Sequence, residues 1–194
     1  MTGDEGDAPK PPGPSCTGTA LPAELNAAGS GTVIVPFLLS SGYHIATDIT
    51  DAASSAGARV AAPLGPDQLL VTALTARLSE ASVPAGTPVV LAAAGSSDPA
   101  AATDVTQQAE LLGGALDAPV LAAYLSAARP TVAEAVAQLR EQNGGPVAVA
   151  SYLLAPGQFQ DQLADCGADW VTAPLGGHPA LAGLVIDRYR TALK

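Results

Sequence analysis

Val-Pro-Phe-Leu-Leu-Ser-Ser-Gly-Tyr-His, at residues 35–44, returns at residues 150–159 as Ala-Ser-Tyr-Leu-Leu-Ala-Pro-Gly-Gln-Phe. A second motif, Ala-Pro-Leu-Gly, occurs at residues 62–65 and again at residues 173–176. The copies of the first motif are 115 residues apart and those of the second are 111 residues apart. Because these offsets far exceed the period of a solenoid repeat, they indicate a duplicated half-domain. Its first copy ends in histidine and its second in phenylalanine.

The composition narrows the classes of function. The chain has 194 residues, 48% of them hydrophobic, so it is long enough to bury a substantial core. Its net charge is −10 with only eight lysines and arginines, which argues against a nucleic-acid partner. It contains no uninterrupted run of about 20 apolar residues, so we predict a cytoplasmic protein with no membrane partner. It also lacks the phosphate-binding and dinucleotide-binding fingerprints, so no nucleotide cofactor is expected.

The first part of the chain differs from the rest in composition. Residues 1–30 are rich in proline and glycine and are predicted to form a disordered arm. Cys16 lies in this arm and Cys166 lies in an apolar helical pattern far from it. Two cysteines so placed form neither a disulfide framework nor a zinc-ligand spacing, so we predict two free thiols.

Short apolar runs alternate with helical patterns from about Thr32 onward. Most of the runs are continuously apolar, which is typical of strands covered on both faces. The predicted strands are residues 32–39, 58–62, 88–93, 119–125, 146–154 and 169–173. This alternation predicts an α/β fold with mainly parallel sheets flanked by helices. The loops after the strands should crowd one rim, where such sheets bind their ligands.

His44 is the leading candidate for chemistry. It follows Gly42 in a loop after a predicted strand, and imidazole both binds divalent metals and transfers protons near neutral pH. A structural role for this histidine remains about equally plausible at this point. Tyr43, beside it, is placed to face a flat ligand, and Asp48 is either a carboxylate partner of His44 or a helix cap.

Two further segments permit both a functional and a structural interpretation. Gly95-Ser96-Ser97-Asp98 either binds an anion or caps a helix that begins at Pro99, and capping is favoured. His178 precedes a predicted helix and aligns with Asp67 of the first copy, which favours a capping or surface role over a functional one. Thr131-x-x-Glu134 has the form of a capping box.

Taken together, the motifs resemble the sirohydrochlorin chelatase and cobaltochelatase family, the ATP-independent class II chelatases. The resemblance runs in order from about Val33 to Arg188 and includes the two repeated motifs and Ala-Ala-Gly-Ser-Ser-Asp-Pro. It implies two similar chelatase-like lobes and a cleft where a tetrapyrrole meets a divalent metal substrate, Fe²⁺ or Co²⁺. His44 corresponds to one of the family's two active-site histidines, as catalytic residue and metal ligand. The implied ligand-binding residues are Gly42, Tyr43, Gly95 and Ser96.

The chain also departs from the family pattern. No His-Gly-Ser-Arg or His-Gly-Thr-Arg motif precedes Thr32. We therefore expect the first strands of the N-terminal lobe to be lacking. The expected division is an incomplete first lobe at residues 31–85 and a second lobe at residues 86–194. In the second lobe, Ala94 stands at the histidine position and Ser126 at the glutamate position.

Three interpretations therefore stay open. The first is a lyase, a metal chelatase of siroheme or cobalamin biosynthesis, and this is favoured. The second is a catalytically impaired or inactive remnant that binds a metal or a tetrapyrrole. The third is a longer protein whose start lies upstream.

Two expectations about partners follow. An incomplete sheet exposes an edge and an apolar face, which predicts a homodimer. Sirohydrochlorin is rich in carboxylates, and a chain of net charge −10 repels it unless Arg59, Arg77 or Arg129 is placed to compensate.

Overall fold

The structure, a computed structural model, describes residues 31–194, except for the side chains of residues 43–48. The predicted arm at residues 1–30, with Cys16, lies outside the described residues. Strands and helices alternate along the described chain, and a 3-10 turn (Gln162–Asp165) follows the fifth helix. The elements are β1 (Val33–Ile34), α1 (Tyr43–Ala56), β2 (Arg59–Val60), α2 (Gln68–Glu80), β3 (Val89–Ala93), α3 (Pro99–Leu116), β4 (Val120–Tyr124), α4 (Val132–Asn143), β5 (Ala148–Tyr152), α5 (Gln158–Asp161), β6 (Trp170–Val171) and α6 (Pro179–Ala192).

The strands form two parallel sheets, as predicted. One sheet pairs β1 with β2, and the other has the order β4-β3-β5-β6. The first strand is much shorter than the predicted 32–39, because Pro36 has no N–H group to donate to the ladder and the chain leaves the sheet there. The division into lobes at residues 31–85 and 86–194 stays a prediction.

The strand register reproduces the duplication. Val33 lies opposite Arg59 in the first sheet, and Ala148 lies opposite Trp170 in the second. Ala148 is the copy of Val33 at the offset of 115 residues, and Trp170 is the copy of Arg59 at the offset of 111 residues. The Ala-Pro-Leu-Gly motifs behave in the same way. The N–H groups of their leucines donate 2.8 Å hydrogen bonds to the carbonyls of Leu38 in the first copy and Leu153 in the second.

The core lies on both faces of the larger sheet. Alternate residues of β3 and β5 point to opposite faces, and every residue of these strands is buried. One face packs against apolar residues of α2, α3 and α6, and the other packs against α4 and the turn that ends at Cys166. The prediction of strands covered on both faces is confirmed for these two strands. Cys166 is a buried free thiol, as predicted.

A reciprocal pair of arginines joins the two copies. Arg188, in α6, donates to the carbonyl oxygens of Pro63 (2.7 Å) and Leu64 (2.9 Å). Arg77, in α2, donates to the carbonyl oxygen of Leu175 at 2.9 Å. Because Arg77 and Arg188 are themselves copies of each other, each helix reaches the Ala-Pro-Leu-Gly motif of the opposite copy.

The capping box at the start of α4 is confirmed. The Thr131 hydroxyl accepts from the N–H of Glu134 at 3.3 Å, and the Glu134 carboxylate accepts from the N–H of Thr131 at 2.7 Å. The Thr131 N–H and the Arg129 guanidinium together lower the pKa of Glu134 from 4.5 to about 2. No helix within residues 31–194 is long and apolar enough to cross a membrane.

Candidate functional site

A cavity of about 320 Å³ lies beyond the carboxyl ends of β3 and β5. Its walls come from both copies of the duplicated unit: residues 37–42 from the first, and residues 93–96 and 152–154 from the second. Tyr124 and the first two turns of α3 complete the lining. The predicted rim thus brings Gly42, Gly95 and Ser96 together around one space.

The segment with the candidate histidine is helical, so its prediction as a loop is wrong. Helix α1 begins at Tyr43, and Gly42, with extended φ and ψ of −129° and 124°, is its N-cap residue. The signal that sequence reasoning missed is the four-residue spacing of Ile45, Ile49 and Ala53, which is a helical period. The side chains of Tyr43 and His44 lie outside the described residues.

Asp48 lies within α1, five residues after its first residue. Its alternative role as a helix N-cap is therefore wrong, because the helix has already begun. The side chain of Asp48 lies outside the described residues, so its pairing with His44 stays a prediction.

The segment before α1 is held at three points. The carbonyl of Leu38 accepts from the N–H of Leu64 at 2.8 Å, and the carbonyl of Leu39 accepts from the Tyr152 hydroxyl at 2.7 Å. The N–H of Ser41 donates to the Asp104 carboxylate at 2.6 Å, and the Ser41 hydroxyl donates to the same oxygen. Sequence reasoning missed both Asp104 and the hydrogen bond of the Tyr152 hydroxyl.

Tyr152 is a permanent donor in this arrangement. Its ring is 2% exposed, and burial raises the pKa of its hydroxyl far above the usual range. The negative charges of Asp104 and Asp67 raise this pKa further. The hydroxyl is therefore protonated near neutral pH and can donate its bond to Leu39.

Gly95 and Ser96 form a tight strand-end turn. Gly95 has φ of +94°, and a Cβ there would lie 1.9 Å from the carbonyl oxygen of Ser126, so only glycine fits. The Ser126 hydroxyl donates to the carbonyl oxygen of Ala94 at 2.8 Å. Ala94 and Ser126, which were predicted to stand at the family's histidine and glutamate positions, are therefore in contact with each other.

The structural interpretation of Gly95-Ser96-Ser97-Asp98 is confirmed. Asp98 caps α3 by accepting from the N–H of Ala100 at 2.9 Å, and Pro99 is the first residue of the helix. The Ser96 hydroxyl accepts from the N–H of Asp98 at 3.1 Å. These two N–H donors at the helix start thus already have acceptors within the protein.

His178 is a helix cap, as favoured from the sequence. Its Nδ1 accepts from the N–H of Ala180 at 3.2 Å at the start of α6. Its copy Asp67 accepts from the N–H of Leu69 at 2.8 Å at the start of α2. His178 does not line the cavity.

Of the three candidate arginines, Arg129 lines a hollow that adjoins the cavity. Arg59 donates to the last carbonyls of α6 and Arg77 to the carbonyl of Leu175, and neither of them lines the cavity. Arg129 follows β4 in a second hollow of about 300 Å³, which shares Tyr124 with the first cavity. Its side chain is 73% exposed and contacts the Glu134 carboxylate.

Within residues 31–194, apart from the undescribed side chains of residues 43–48, no three His, Cys, Asp or Glu side chains form a cluster able to hold a metal. The assignment of His44 as metal ligand thus stays a prediction.

Known proteins resemble the chain over most of its length. A sequence model of the CbiX family matches residues 19–81 and 88–192. Sirohydrochlorin ferrochelatase of Priestia megaterium is 30% identical over 178 residues, which cover 82% of this chain and 67% of that protein. The protein of the same name from Bacillus subtilis (strain 168) is 26% identical over 189 residues, which cover 89% and 72%.

Solved structures resemble it as well. SirB from Bacillus subtilis with Fe³⁺ superposes with a TM-score of 0.75 at 26% identity, covering 90% of this chain and 76% of that one. SirB from Bacillus subtilis subspecies spizizenii in complex with cobalt has a TM-score of 0.68 at 24% identity, covering 90% and 74%. The second likeness, at this identity, supports the fold alone.

Proposed function

This chain belongs to the CbiX family, and from that premise we propose that it is a chelatase that inserts Fe²⁺ or Co²⁺ into sirohydrochlorin. Two curated relatives are named sirohydrochlorin ferrochelatase, and the neighbouring SirB structure holds Fe³⁺. The metal is a substrate of this reaction. The product would enter siroheme or cobalamin biosynthesis.

The observation that carries the proposal is the cavity between the two copies. Its volume of about 320 Å³ lies within the usual range of small-molecule sites, and apolar groups dominate its walls. Aromatic rings of Tyr124 and Tyr152 stand beside the small residues Gly42, Gly95 and Ser96. Such a surface suits the flat face of a macrocycle, because small residues let a planar ligand approach the backbone closely.

His44 is the residue we propose for the chemistry. Insertion replaces two pyrrole N–H protons by one divalent ion, so the site must deliver the metal and accept protons. An imidazole does both near neutral pH. His44 lies in the first turn of α1, two residues after Gly42, which lines the cavity.

Arg129 is the residue we propose for the carboxylates of the substrate. The net charge of −10 opposes binding of an anionic tetrapyrrole. Arg59 and Arg77 already donate to backbone carbonyls, and neither lines the cavity. Arg129 is largely exposed beside the cavity, and a guanidinium binds a carboxylate with two parallel hydrogen bonds.

The test is anaerobic insertion of Co²⁺ and of Fe²⁺ into sirohydrochlorin, followed by absorbance, for the wild type and for His44→Ala. We expect the wild type to exceed the spontaneous rate and His44→Ala to lose about a hundredfold or more, the usual contribution of a general base. The matched control is His178→Ala, which removes the other histidine of the chain from a helix cap outside the cavity. A wild type at the spontaneous rate would leave the impaired, ligand-binding alternative.

A homodimer and a cytoplasmic location remain proposals. The dimer is supported by the smaller sheet: among the described residues β1 pairs only with β2, whereas its copy β5 pairs with both β3 and β6. Phe37, three residues after β1, is 51% exposed, whereas its copy Tyr152 is 2% exposed. Sedimentation velocity checks the dimer, and a monomer at micromolar concentration would contradict it. The proposed cytoplasmic location rests on the composition of the chain.

A further inference from the structure

We propose that Asp104 is a positioning residue for the proposed reaction: it fixes the start of α1 and thereby the place of His44 relative to the cavity. The kinetic part of this proposal rests on the proposed function. The structural part stands on the contacts between α3 and residues 38–41.

The central contact is between one carboxylate oxygen and one residue. Oδ2 of Asp104 accepts the N–H of Ser41 at 2.6 Å and also accepts the Ser41 hydroxyl. Ser41 immediately precedes Gly42, the N-cap residue of α1. Hydrogen bonds to an ionised acceptor are shorter and about twice as strong as neutral ones, so this is a firm attachment point.

The start of α1 needs such an attachment because its N-cap residue is glycine. Gly42 has no side chain to accept from the first N–H groups of the helix, and glycine tolerates many backbone conformations. The Asp104 contact therefore fixes the backbone two residues before the helix begins. His44 follows within the first turn.

The neighbouring attachments hold the segment further back. Leu38 is bonded to Leu64 and Leu39 to Tyr152. The Leu39 carbonyl is wedged against Gly65, where a Cβ would lie 2.1 Å from its oxygen. These contacts set the path of the chain up to Leu39, and the Asp104 contact sets its direction into the helix.

Asp104 also links the two copies of the unit. It lies on α3, whose residues Ala101, Ala102 and Val105 line the cavity, and it is half-buried. The wall that faces the substrate and the anchor of the histidine-bearing helix are thus on the same helix. A displacement of about 1 Å at a reacting group is sufficient to lower a rate by up to about a hundredfold.

The kinetic test compares Asp104→Ala, Asp104→Asn and the control Glu110→Gln in Co²⁺ insertion. Glu110 is an exposed acid on the same helix, so its variant removes the same charge without touching Ser41. We expect Asp104→Ala to lower kcat about tenfold with KM for sirohydrochlorin nearly unchanged, as for a misplaced reacting group. Asp104→Asn keeps an oxygen that accepts from Ser41, so it should recover most of kcat.

A purely structural role predicts a different pattern. Activity would then fall only in proportion to the folded fraction, and the recovery by asparagine would follow the melting temperature. Equal kcat values for Asp104→Ala and Glu110→Gln would overturn the proposal.

Amide hydrogen exchange gives a readout that does not depend on activity. In Asp104→Ala the Ser41 amide should exchange about tenfold faster or more, because it loses its acceptor. The Leu64 amide, which donates to Leu38, should keep its protection and serves as the internal control. Unchanged exchange at Ser41, or equal losses at Ser41 and Leu64, would overturn the positioning role. If the wild type inserts no metal, the proposed function fails. The exchange rates then test by themselves whether Asp104 holds Ser41 at the start of α1.

Discussion

The segment at residues 36–44 and its copy at residues 151–159 follow the same strand register but are held by different partners. The second segment is held mainly from within its own copy. The N–H of Ser151 donates to the Thr172 hydroxyl at 3.0 Å, and the Gln160 amide donates to the Thr172 carbonyl at 3.0 Å. The corresponding residues of the first copy are Pro36, Ile45 and Ala61, which lack these side-chain groups.

The first segment takes one bond from its own copy, donated by the Leu64 N–H to the Leu38 carbonyl, and two from the opposite copy. Tyr152 bonds to Leu39, and Asp104 bonds to Ser41. The comparison teaches that the segment with fewer bonds inside its own copy takes bonds from the other copy, and the cavity lies at that contact. The copy of His44 in the second segment is Phe159, which carries no group for acid, base or metal chemistry.

The largest expected effect comes from exchanging the last residues of the two segments, His44 and Phe159. His44→Phe gives the first copy the residue of the second, and we expect it to lose metal insertion by about a hundredfold or more. Phe159→His gives the second copy an imidazole, and we expect no increase in rate, because Phe159 itself does not line the cavity. Insertion assays on both variants check this, and an active Phe159→His in the absence of His44 would break the comparison.

The next effect compares the glycines of the two Ala-Pro-Leu-Gly motifs. A Cβ at Gly65 would lie 2.1 Å from the Leu39 carbonyl oxygen and 2.3 Å from the Tyr152 hydroxyl. We expect Gly65→Ala to lower the free energy of unfolding by about 3 kcal/mol through overpacking. Gly176→Ala meets nothing nearer than 3.5 Å and should cost only about 1 kcal/mol, for its φ of +55°. Urea denaturation checks the difference, and equal losses would contradict it.

A smaller effect distinguishes the reciprocal arginines. Arg188 bonds to two carbonyls and to the Asp67 carboxylate at 2.9 Å, whereas Arg77 bonds to one carbonyl and to Glu80. Among the described residues the buried Nε of Arg77 has no acceptor. We expect Arg188→Ala to lower the free energy of unfolding by about 2 kcal/mol and Arg77→Ala by about 1 kcal/mol. Thermal melts of both variants check the order, and a larger loss for Arg77→Ala would reverse the comparison.

The smallest effect concerns the matched helix caps. Asp67 and His178 cap α2 and α6 at equivalent positions, and aspartate is the better cap because its charge also favours a helix N-terminus. We expect His178→Asp to raise the free energy of unfolding by about 0.5 kcal/mol. Chemical denaturation at neutral pH checks this. No gain would mean that the imidazole ring contributes packing that aspartate cannot replace.

Much of the fold was predictable because it follows from local or periodic patterns. Continuous apolar runs predicted the buried strands β3 and β5, and the spacing of Thr131 and Glu134 predicted the capping box. The length of β1 and the helical state of Tyr43 and His44 were predicted wrongly. The run at residues 32–39 is apolar throughout, although the chain leaves the sheet at Pro36, so its composition did not reveal where β1 ends. The helical spacing in α1 was missed because the segment directly follows this apolar run.

The sequence by itself determined the α/β class, the duplication with its offsets of 115 and 111 residues, the family and the histidine to examine first. Only the tertiary structure decided what holds that histidine's helix in place. Ser41 and Asp104 are 63 residues apart, and Leu39 and Tyr152 are 113 residues apart. A helix period, a strand alternation or a cap is set by residues within a few positions of one another, so it leaves a pattern in the sequence. A hydrogen bond between distant residues leaves none, because its geometry exists only after the sheets and helices have packed.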